Sequence, residues 1–283
     1  MSAAISRWTR RSRNSNKSRE FEVLVNESDN SLQLFLRGIT ARDIAEPLVS
    51  FDDTTPVSFI RAAMDASQFA VVGIRRAGLV AGWLNRDDLA NGQVMTARQF
   101  EPLSVIPETA PLHEAVQALA GFPHLFICSL GQIGGHISRR DVQKPAMRMW
   151  LFGLVTISEL RVTQAIDELC PQECWRQYLS EGRLQKAADF QKQRGLRGQH
   201  HSLLDCLQFA DKGQIVARDE RLRERTRFSS KRDVELFVSS LQTLRDNLAH
   251  AQDISGDWEV IHDLAMNMHR IVQGSPLIAK DPS

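Results

Sequence analysis

The sequence has few of the features that mark secreted, disulfide-rich or membrane-spanning proteins. Its 283 residues include four cysteines and one tyrosine, and no run of about 18 consecutive apolar residues. Four cysteines are too few for a disulfide scaffold, and the N-terminus lacks the apolar core of a secretory signal. We therefore expect a cytoplasmic protein without a membrane span. With 42% hydrophobic and 24% charged residues, the composition is that of a folded chain, long enough for about two domains.

The charge is unevenly spread, although the net charge is only +1. Residues 1–20 carry six Lys or Arg and one Glu, a net +5, without an apolar period, and we predict a basic, flexible tail there. Residues 21–147 carry ten basic and fourteen acidic residues, and residues 148–283 carry nineteen of each. This balance excludes a protein whose whole surface binds nucleic acid by charge, although a local basic patch can still do so.

An internal repeat is the most informative pattern before residue 147. Residues 46–48 (Glu-Pro-Leu) recur as residues 101–103, and an amphipathic helix pattern follows each copy. Two short apolar runs separated by a tight turn then predict a β-hairpin in each copy. The predicted order of elements in each copy is helix, strand, turn, strand and helix. We therefore predict an α+β module over residues 21–146 in two copies, at about 37–94 and 95–146.

Each copy ends on a short polar motif at the junction from strand to helix. Residues 135–141 (Gly-His-Ile-Ser-Arg-Arg-Asp) have the form Gly-x-x-Ser/Thr-x-x-Asp, and residues 82–88 (Gly-Trp-Leu-Asn-Arg-Asp-Asp) match it except for Asn85. A hydroxyl at a helix start can cap N–H groups or bind a phosphate there. An Asp one turn later can accept hydrogen bonds from two ribose hydroxyls. Arg139 and Arg140 carry charge that would neutralise a phosphate.

With these paired motifs, the repeated region resembles a tandem pair of CBS domains over roughly residues 37–146. The resemblance implies an adenosine-type ligand (AMP, ADP, ATP or S-adenosylmethionine) in the cleft between the two copies. It assigns Ser138 and Asp141 to the better site, and Asn85 and Asp88 to a poorer one. The alternative is that Ser138 and Asp141 only cap the helix that follows them.

Helical patterns run through the rest of the chain, so we predict an all-α bundle over residues 147–283. The candidate helices are Met147–Leu169, Glu173–Arg194, His201–Asp211, Ser230–Ala251 and Trp258–Gln273. The fourth carries an apolar stripe at three- and four-residue steps, which would serve an internal core or a helical partner. Residues 218–232, with seven basic and three acidic side chains, indicate a loop or an exposed helix end.

A zinc site is the alternative that cysteine spacing raises. The candidate ligands are Cys170, Cys174, His200, His201 and Cys206. The flanking sequence is typical of helix ends, however, and no second closely spaced Cys or His pair follows in a zinc-knuckle context. We therefore predict no metal site.

A hexapeptide near the end of the fourth helix carries the second resemblance. Arg245-Asp-Asn-Leu-Ala-His250 is similar to the Arg-x4–6-His signature of HEPN domains, over about residues 147–275. These domains are all-helical, commonly dimeric and, when catalytic, metal-independent endoribonucleases. The resemblance implies that His250 moves protons, that Arg245 holds phosphorane charge and that Asp246 orients one of them. The step of five residues from Arg245 to His250 corresponds to one revolution of an α-helix plus about 140°, so the two side chains do not lie on the same face of the helix. Two facing motifs, one from each protomer, would bring them together.

Taken together, the two resemblances predict a nucleotide-sensing CBS module that controls a HEPN-type endoribonuclease, in a stress, toxin or phage-defence setting. They imply a homodimer, an RNA substrate, an antitoxin or other regulatory protein, and no cofactor for cleavage. The alternative is a non-enzymatic CBS regulator whose helical domain docks onto a partner protein.

Overall fold

An α+β region is followed by a region of helices in the computed structural model, which describes residues 32–89, 96–198, 201–254, 256 and 258–273. This order confirms the predicted fold class, α+β first and all-helical second. The basic tail predicted at residues 1–20 lies outside the described residues. Within the described ranges, no helix is both long and apolar enough to cross a membrane.

The α+β region contains the predicted unit twice. Helical residues 32–38 (α1) come first, and the strands and helices that follow are β1 (Glu46–Pro47), β2 (Ser50–Asp52), α2 (Val57–Ser67), β3 (Val71–Arg76), β4 (Leu79–Asn85), β5 (Val105–Pro107), α3 (Leu112–Gly121), β6 (His124–Ser129) and β7 (Gln132–Ser138). In each unit a parallel pair, β2–β3 or β5–β6, is extended by an antiparallel hairpin. Strand β1 crosses over to β7, so the sheets have the orders β2-β3-β4 and β1-β7-β6-β5.

The two repeated helices form for the same local reasons. Each begins after a proline, Pro56 or Pro111, whose fixed φ near −58° suits the start of a helix. The buried residues of α2, Ile60 and Met64, are four apart and so lie on one face. The corresponding face of α3 is formed by Leu112, Ala115, Val116 and Leu119.

The glycine of each polar motif lies against a crossing backbone. A Cβ at Gly82 would lie 2.8 Å from the carbonyl oxygen of Arg98, and a Cβ at Gly135 would lie 3.2 Å from that of Glu46. Arg98 and Glu46 belong to the segments that pair with β4 and β7. A side chain at Gly82 would force the backbone of Arg98 to move, whereas one at Gly135 would make a tight contact that a shift of a few tenths of an ångström relieves.

Six helices follow in the helical region. They are α4 (Pro145–Leu169), α5 (Glu181–Gly195), α6 (Phe209–Arg218), α7 (Glu220–Arg225), α8 (Lys231–Ala249) and α9 (Trp258–Gln273), within the described residues. Most of the apolar stripe predicted on α8 is buried, which places it in an internal core. Residues 218–232, predicted as a loop or helix end, contain α7, which the side chain of Asp219 caps.

Two predicted helices are wrong in their bounds. The helix predicted over Glu173–Arg194 is a short 3₁₀ segment, Pro171–Tyr178, followed by α5. The break lies at Leu179 and Ser180, whose ψ values of 152° and 154° are extended and not helical. The helix predicted over His201–Asp211 begins only at Phe209.

The cores of the two α+β units differ in extent. The first unit has a small core of its own, formed by Ile60, Met64, Val72, Ile74, Leu84 and Leu89. The second unit shares one continuous core with the helical region, which joins Leu112 and Ile137 to Trp150 and Leu241. The boundary predicted between residues 146 and 147 falls inside α4, so the second unit and the helices are joined by one helix and one core.

Two stacked histidines lie where α3 packs against α9. The rings of His113 and His269 have centroids 4.2 Å apart and an angle of 17° between their planes. Within the described residues, Nδ1 of each ring is buried without a hydrogen-bond partner. Burial lowers the pKa of His113, and burial with the charge of His113 lowers the pKa of His269 to about 4. The pair is therefore uncharged near neutral pH.

We expect Gly82→Ala to destabilise the protein by about 1–3 kcal/mol, because the backbone of Arg98 must move to admit the methyl group. Gly134→Ala is the matched control, since a Cβ at this strand glycine meets no atom within 4 Å. It should change stability by no more than about 0.5 kcal/mol. Urea unfolding measures both, and equal stabilities would show that the crossing backbone does not require glycine.

Acid should destabilise the protein through His269. Its pKa of about 4 lies below the ordinary value of 6.5, so on acidification the unfolded chain takes up a proton before the folded chain does. The free energy of unfolding should fall by about 2 kcal/mol between about pH 7 and about pH 4.5 through this group. His269→Phe keeps a stacked ring and should remove that part of the pH dependence. A pH dependence that is unchanged in this variant would contradict the assignment.

Candidate functional site

The turn that carries Ser138 and Asp141 is a closed capping box. Oδ2 of Asp141 accepts hydrogen bonds from the backbone N–H of Ser138 at 2.6 Å and from its hydroxyl at 3.0 Å. Oδ1 of Asp141 lies 2.8 Å from Nζ of Lys144, which also contacts the carbonyl of Ile44 at 2.7 Å and the carboxylate of Glu46 at 3.1 Å. Asp141 is only 6% exposed. Both of its oxygens are thus occupied within the chain, and a ribose would have to compete for them.

In the first motif, the carboxylate of Asp88 is paired with Arg98 instead of a lysine. The N–H of Asn85 donates to Asp88 at 3.2 Å, and the Arg98 guanidinium donates to both oxygens of that carboxylate. The hydrogen bonds from Arg98 hold the pKa of Asp88 below its usual value. The sequence gives no signal for this pairing because Arg98 lies ten residues downstream, outside the motif. Lys144, by contrast, lies one turn after Asp141 and could have been found from its spacing.

The arginines of the two motifs bind helix ends. Arg139 donates to the last carbonyls of α3 at 3.2 and 3.3 Å, and Arg86 donates to carbonyls at and just past the end of α2 at 3.1 and 2.9 Å. A cation at this position satisfies terminal carbonyls and complements the helix dipole. Arg140 is exposed. Of the two predicted phosphate-binding arginines, Arg139 therefore already has protein partners.

Gln143 and Arg148 link this turn to the end of α8. Gln143 accepts a hydrogen bond from Arg148 at 3.0 Å and donates one to Asp253. Arg148 also donates to three carbonyl oxygens around the end of α8, those of Asn247, Leu248 and Gln252, at 3.1, 3.3 and 2.9 Å. The turn of the second unit and the segment that carries His250 therefore share one guanidinium.

The three residues of the predicted catalytic motif lie at the end of α8. Arg245 is 3.5 Å from Glu159 of α4 and 3.4 Å from Asp246. The backbone N–H of His250 caps the helix by donating to the carbonyl of Asp246, and its side chain is exposed. Arg245 lines a cleft whose lining does not include His250. Asp246 is thus beside Arg245, while His250 is placed apart from the cleft.

This cleft, of about 810 Å³, lies between α4, α5, α6 and α8. Its charged side chains are Arg183, Lys186, Arg194, Lys212 and Arg245 with Glu159, Asp205 and Asp211. Five cations face three carboxylates, so the cleft has an excess of positive charge. The sequence gives no signal for it, because the charged residues come from four separate segments that share no motif.

The cysteines of the zinc alternative are thiols in the structure. Burial, with a hydrogen bond to Cys174, raises the pKa of Cys170 to about 12, so that thiol keeps its proton near neutral pH. His200 of the proposed set lies outside the described residues. Among the residues that are described, no group of three His, Cys, Asp or Glu side chains is placed to hold a metal ion.

No protein-family model matches the sequence, and no curated protein matches it either. Solved structures similar to this chain include a CBS domain-containing protein of unknown function from Bacillus anthracis str. Ames Ancestor, with 11% identity over 38% of this chain and 93% of that chain and a TM-score of 0.33. Another is the CBS domain of a bacterial CNNM/CorC family Mg²⁺ transporter in complex with ATP, with 17% identity, coverage of 43% and 96%, and a TM-score of 0.33. A third is an uncharacterized conserved protein from Pyrococcus horikoshii, with 17% identity, coverage of 38% and 87%, and a TM-score of 0.30. Each of the three covers less than half of this chain.

Proposed function

We propose that this protein is a nucleotide-sensing regulator in which a tandem CBS-type module binds an adenosine nucleotide and controls a HEPN-type endoribonuclease. The observation that carries this function is the bridge of Gln143 and Arg148 between the turn of the second unit and the end of α8. That helix bears Arg245 and Asp246, and His250 is its C-terminal cap. A ligand that changes the turn would act on this helix, provided that it binds the two arrangements with different affinity.

Ligand binding would exchange internal partners of the two aspartates for ribose hydroxyls. A ribose offers neutral donors to Asp141, and Lys144, once displaced, becomes free to pair with the phosphates of the same ligand. At the first motif Arg98 would make the same exchange at Asp88. In each motif the aspartate would bind the ribose and the released cation would bind the phosphates of the same ligand. This pairing supports a phosphorylated adenosine as the effector.

RNA cleavage would proceed through attack of a ribose 2′-hydroxyl on the adjacent phosphorus. The P–O5′ bond breaks as the 2′-oxygen bonds to phosphorus, which leaves a 2′,3′-cyclic phosphate and a 5′-hydroxyl. One His250 takes the proton of the 2′-hydroxyl, and the partner's His250 protonates the leaving oxygen. Arg245 stabilises the phosphorane charge, and Asp246, 3.4 Å away, positions the guanidinium. Because His250 does not line the cleft that contains Arg245, the site requires the facing motif of a second protomer.

A non-enzymatic regulator is the second candidate. It is favoured by the two carboxylates, Glu159 and Asp246, that already face the Arg245 guanidinium. Leu236 and Val260, 58% and 48% exposed, line a groove between α8 and α9 that offers a surface for a partner protein. In this case the nucleotide would control docking and the chain would not cut RNA.

We expect the protein to bind at least one of AMP, ADP, ATP and S-adenosylmethionine in isothermal titration calorimetry. Asp141→Asn should weaken that binding by about tenfold or more, because it removes a charged acceptor for the ribose hydroxyls. Asp43→Asn is the matched control, since Asp43 closes a similar capping box with Thr40, at 2.7 and 3.0 Å, outside the motifs. The adenosine site would be refuted if none of the four ligands bound at millimolar concentration, or if both variants lost the same amount of binding affinity.

Purified protein should cleave total RNA in the presence of EDTA. His250→Ala and Arg245→Ala should each reduce the cleavage rate by about 100-fold or more, since they remove the proton carrier and the charge that stabilises the phosphorane. Lys192→Ala, which removes an exposed cation from α5, should leave the rate unchanged. Absence of cleavage with and without nucleotides would favour the second candidate. Undiminished cleavage by both active-motif variants would remove the catalytic assignment.

A further inference from the structure

Lys212 is a buried cation that has one hydrogen-bond acceptor and no ion-pair partner among the described residues. It lies in the first turn of α6 and is 9% exposed. Its ammonium donates one hydrogen bond, to Oγ1 of Thr163 at 2.9 Å, and the Thr163 hydroxyl donates in turn to the carbonyl of Glu159 at 2.8 Å. Across the described residues, no carboxylate forms an ion pair with Lys212. Since an ammonium carries three donors, two N–H groups lack a partner there.

The two carboxylates whose charges act on Lys212 are held by other groups. Burial lowers the pKa of Lys212, and the charges of Asp205 and Glu159 oppose this effect. Asp205 accepts hydrogen bonds from the hydroxyl and backbone N–H of Ser202 at 2.7 and 3.1 Å. Glu159 faces Arg245. A cation desolvated in this way costs stability rather than adding to it, and an anion from outside the chain would offset that cost.

The cleft that Lys212 lines has the size and lining of a small-molecule site. About 810 Å³ lies within the range of 300–1,000 Å³ that is typical of such sites. Arg183 is paired with Asp211, and Arg194 lies over the ring of Phe190, 4.6 Å from its centroid. The exposed Lys186 lines the same cleft as Lys212, as does the Arg245 guanidinium, which also contacts Glu159 and Asp246. An apolar wall completes the cleft, formed by Ala187, Phe190, Leu207 and Phe209.

We propose that this cleft binds a phosphorylated small molecule, with its phosphate oxygens on Lys212 and between Lys186 and Arg245. A phosphate offers three or four acceptor oxygens and more than one negative charge, which matches several converging donors better than a single carboxylate does. The site is distinct from the adenosine site of the α+β region and binds its ligand whether or not the chain cuts RNA. Because Arg245 belongs to the cleft, an occupied cleft withholds that guanidinium from RNA.

Titration calorimetry of the full chain with inorganic pyrophosphate tests this site without involving a nucleoside. We expect saturable binding that Lys212→Met weakens by about tenfold or more and that Lys186→Ala weakens by about threefold. Lys192→Met removes the same charge from α5 outside the cleft and should leave the affinity unchanged. Lys212→Met should also keep or raise the melting temperature, because an apolar chain of similar length replaces a desolvated cation.

Several results would overturn the proposal. No saturable binding to the unaltered protein at millimolar pyrophosphate is one, and undiminished affinity in Lys212→Met is another. An equal loss in Lys192→Met would show that pyrophosphate responds only to net charge. If Lys212→Met does not fold, Lys186→Ala decides, since an unchanged affinity there excludes the cleft. None of these results bears on adenosine binding, which depends on Asp141, or on RNA cleavage, which is measured separately.

Discussion

The guanidinium of Arg148 is the polar contact that links the motif turn of the second unit to the end of α8. It lies in the first turn of α4, directly after the motif turn of the second unit, and donates to carbonyls at the end of α8. The last carbonyls of a helix have no partner within the helix, so an external donor at this place stabilises both the helix end and its position. Gln143 ties the same guanidinium to the turn. A displacement of the turn therefore changes the hydrogen bonding of the segment before His250.

The two motifs are built alike but are closed with different strength. Arg98 holds Asp88 with two hydrogen bonds from one planar group, while Lys144 gives one contact to Asp141 and shares its remaining donors with Ile44 and Glu46. A bidentate guanidinium pair is harder to displace than a shared ammonium. The second motif also has the hydroxyl residue, Ser138, where the first has Asn85. For the ligand exchange that we propose, both differences favour the second motif.

Much of the fold could be predicted from the sequence because it depends on local periodicity. The repeat, the hairpins of both units and helices α8 and α9 follow from patterns that lie within a few residues. The bounds of α5 and α6 did not follow, since Ser180 and Gln208, directly before these helices, adopt extended conformations that the apolar pattern does not reveal. The partners of the motif aspartates and the cleft around Lys212 depend on contacts between distant segments. No pattern at short range could have revealed that Arg98 closes the first motif.

Because their cores differ in extent, the two α+β units differ in local stability. The first unit has six buried side chains of its own, and its Leu48 and Val71 also pack against Phe126 of the second unit. The second unit is buried more extensively, because its Leu112 and Ile137 pack against helices that follow it in the chain. Removal of the helical region would expose this apolar surface to solvent. The repeat therefore looks like two equal modules in sequence, whereas in the structure only the second copy belongs to the core of the helical region, and we expect the first copy to open locally at a lower free energy.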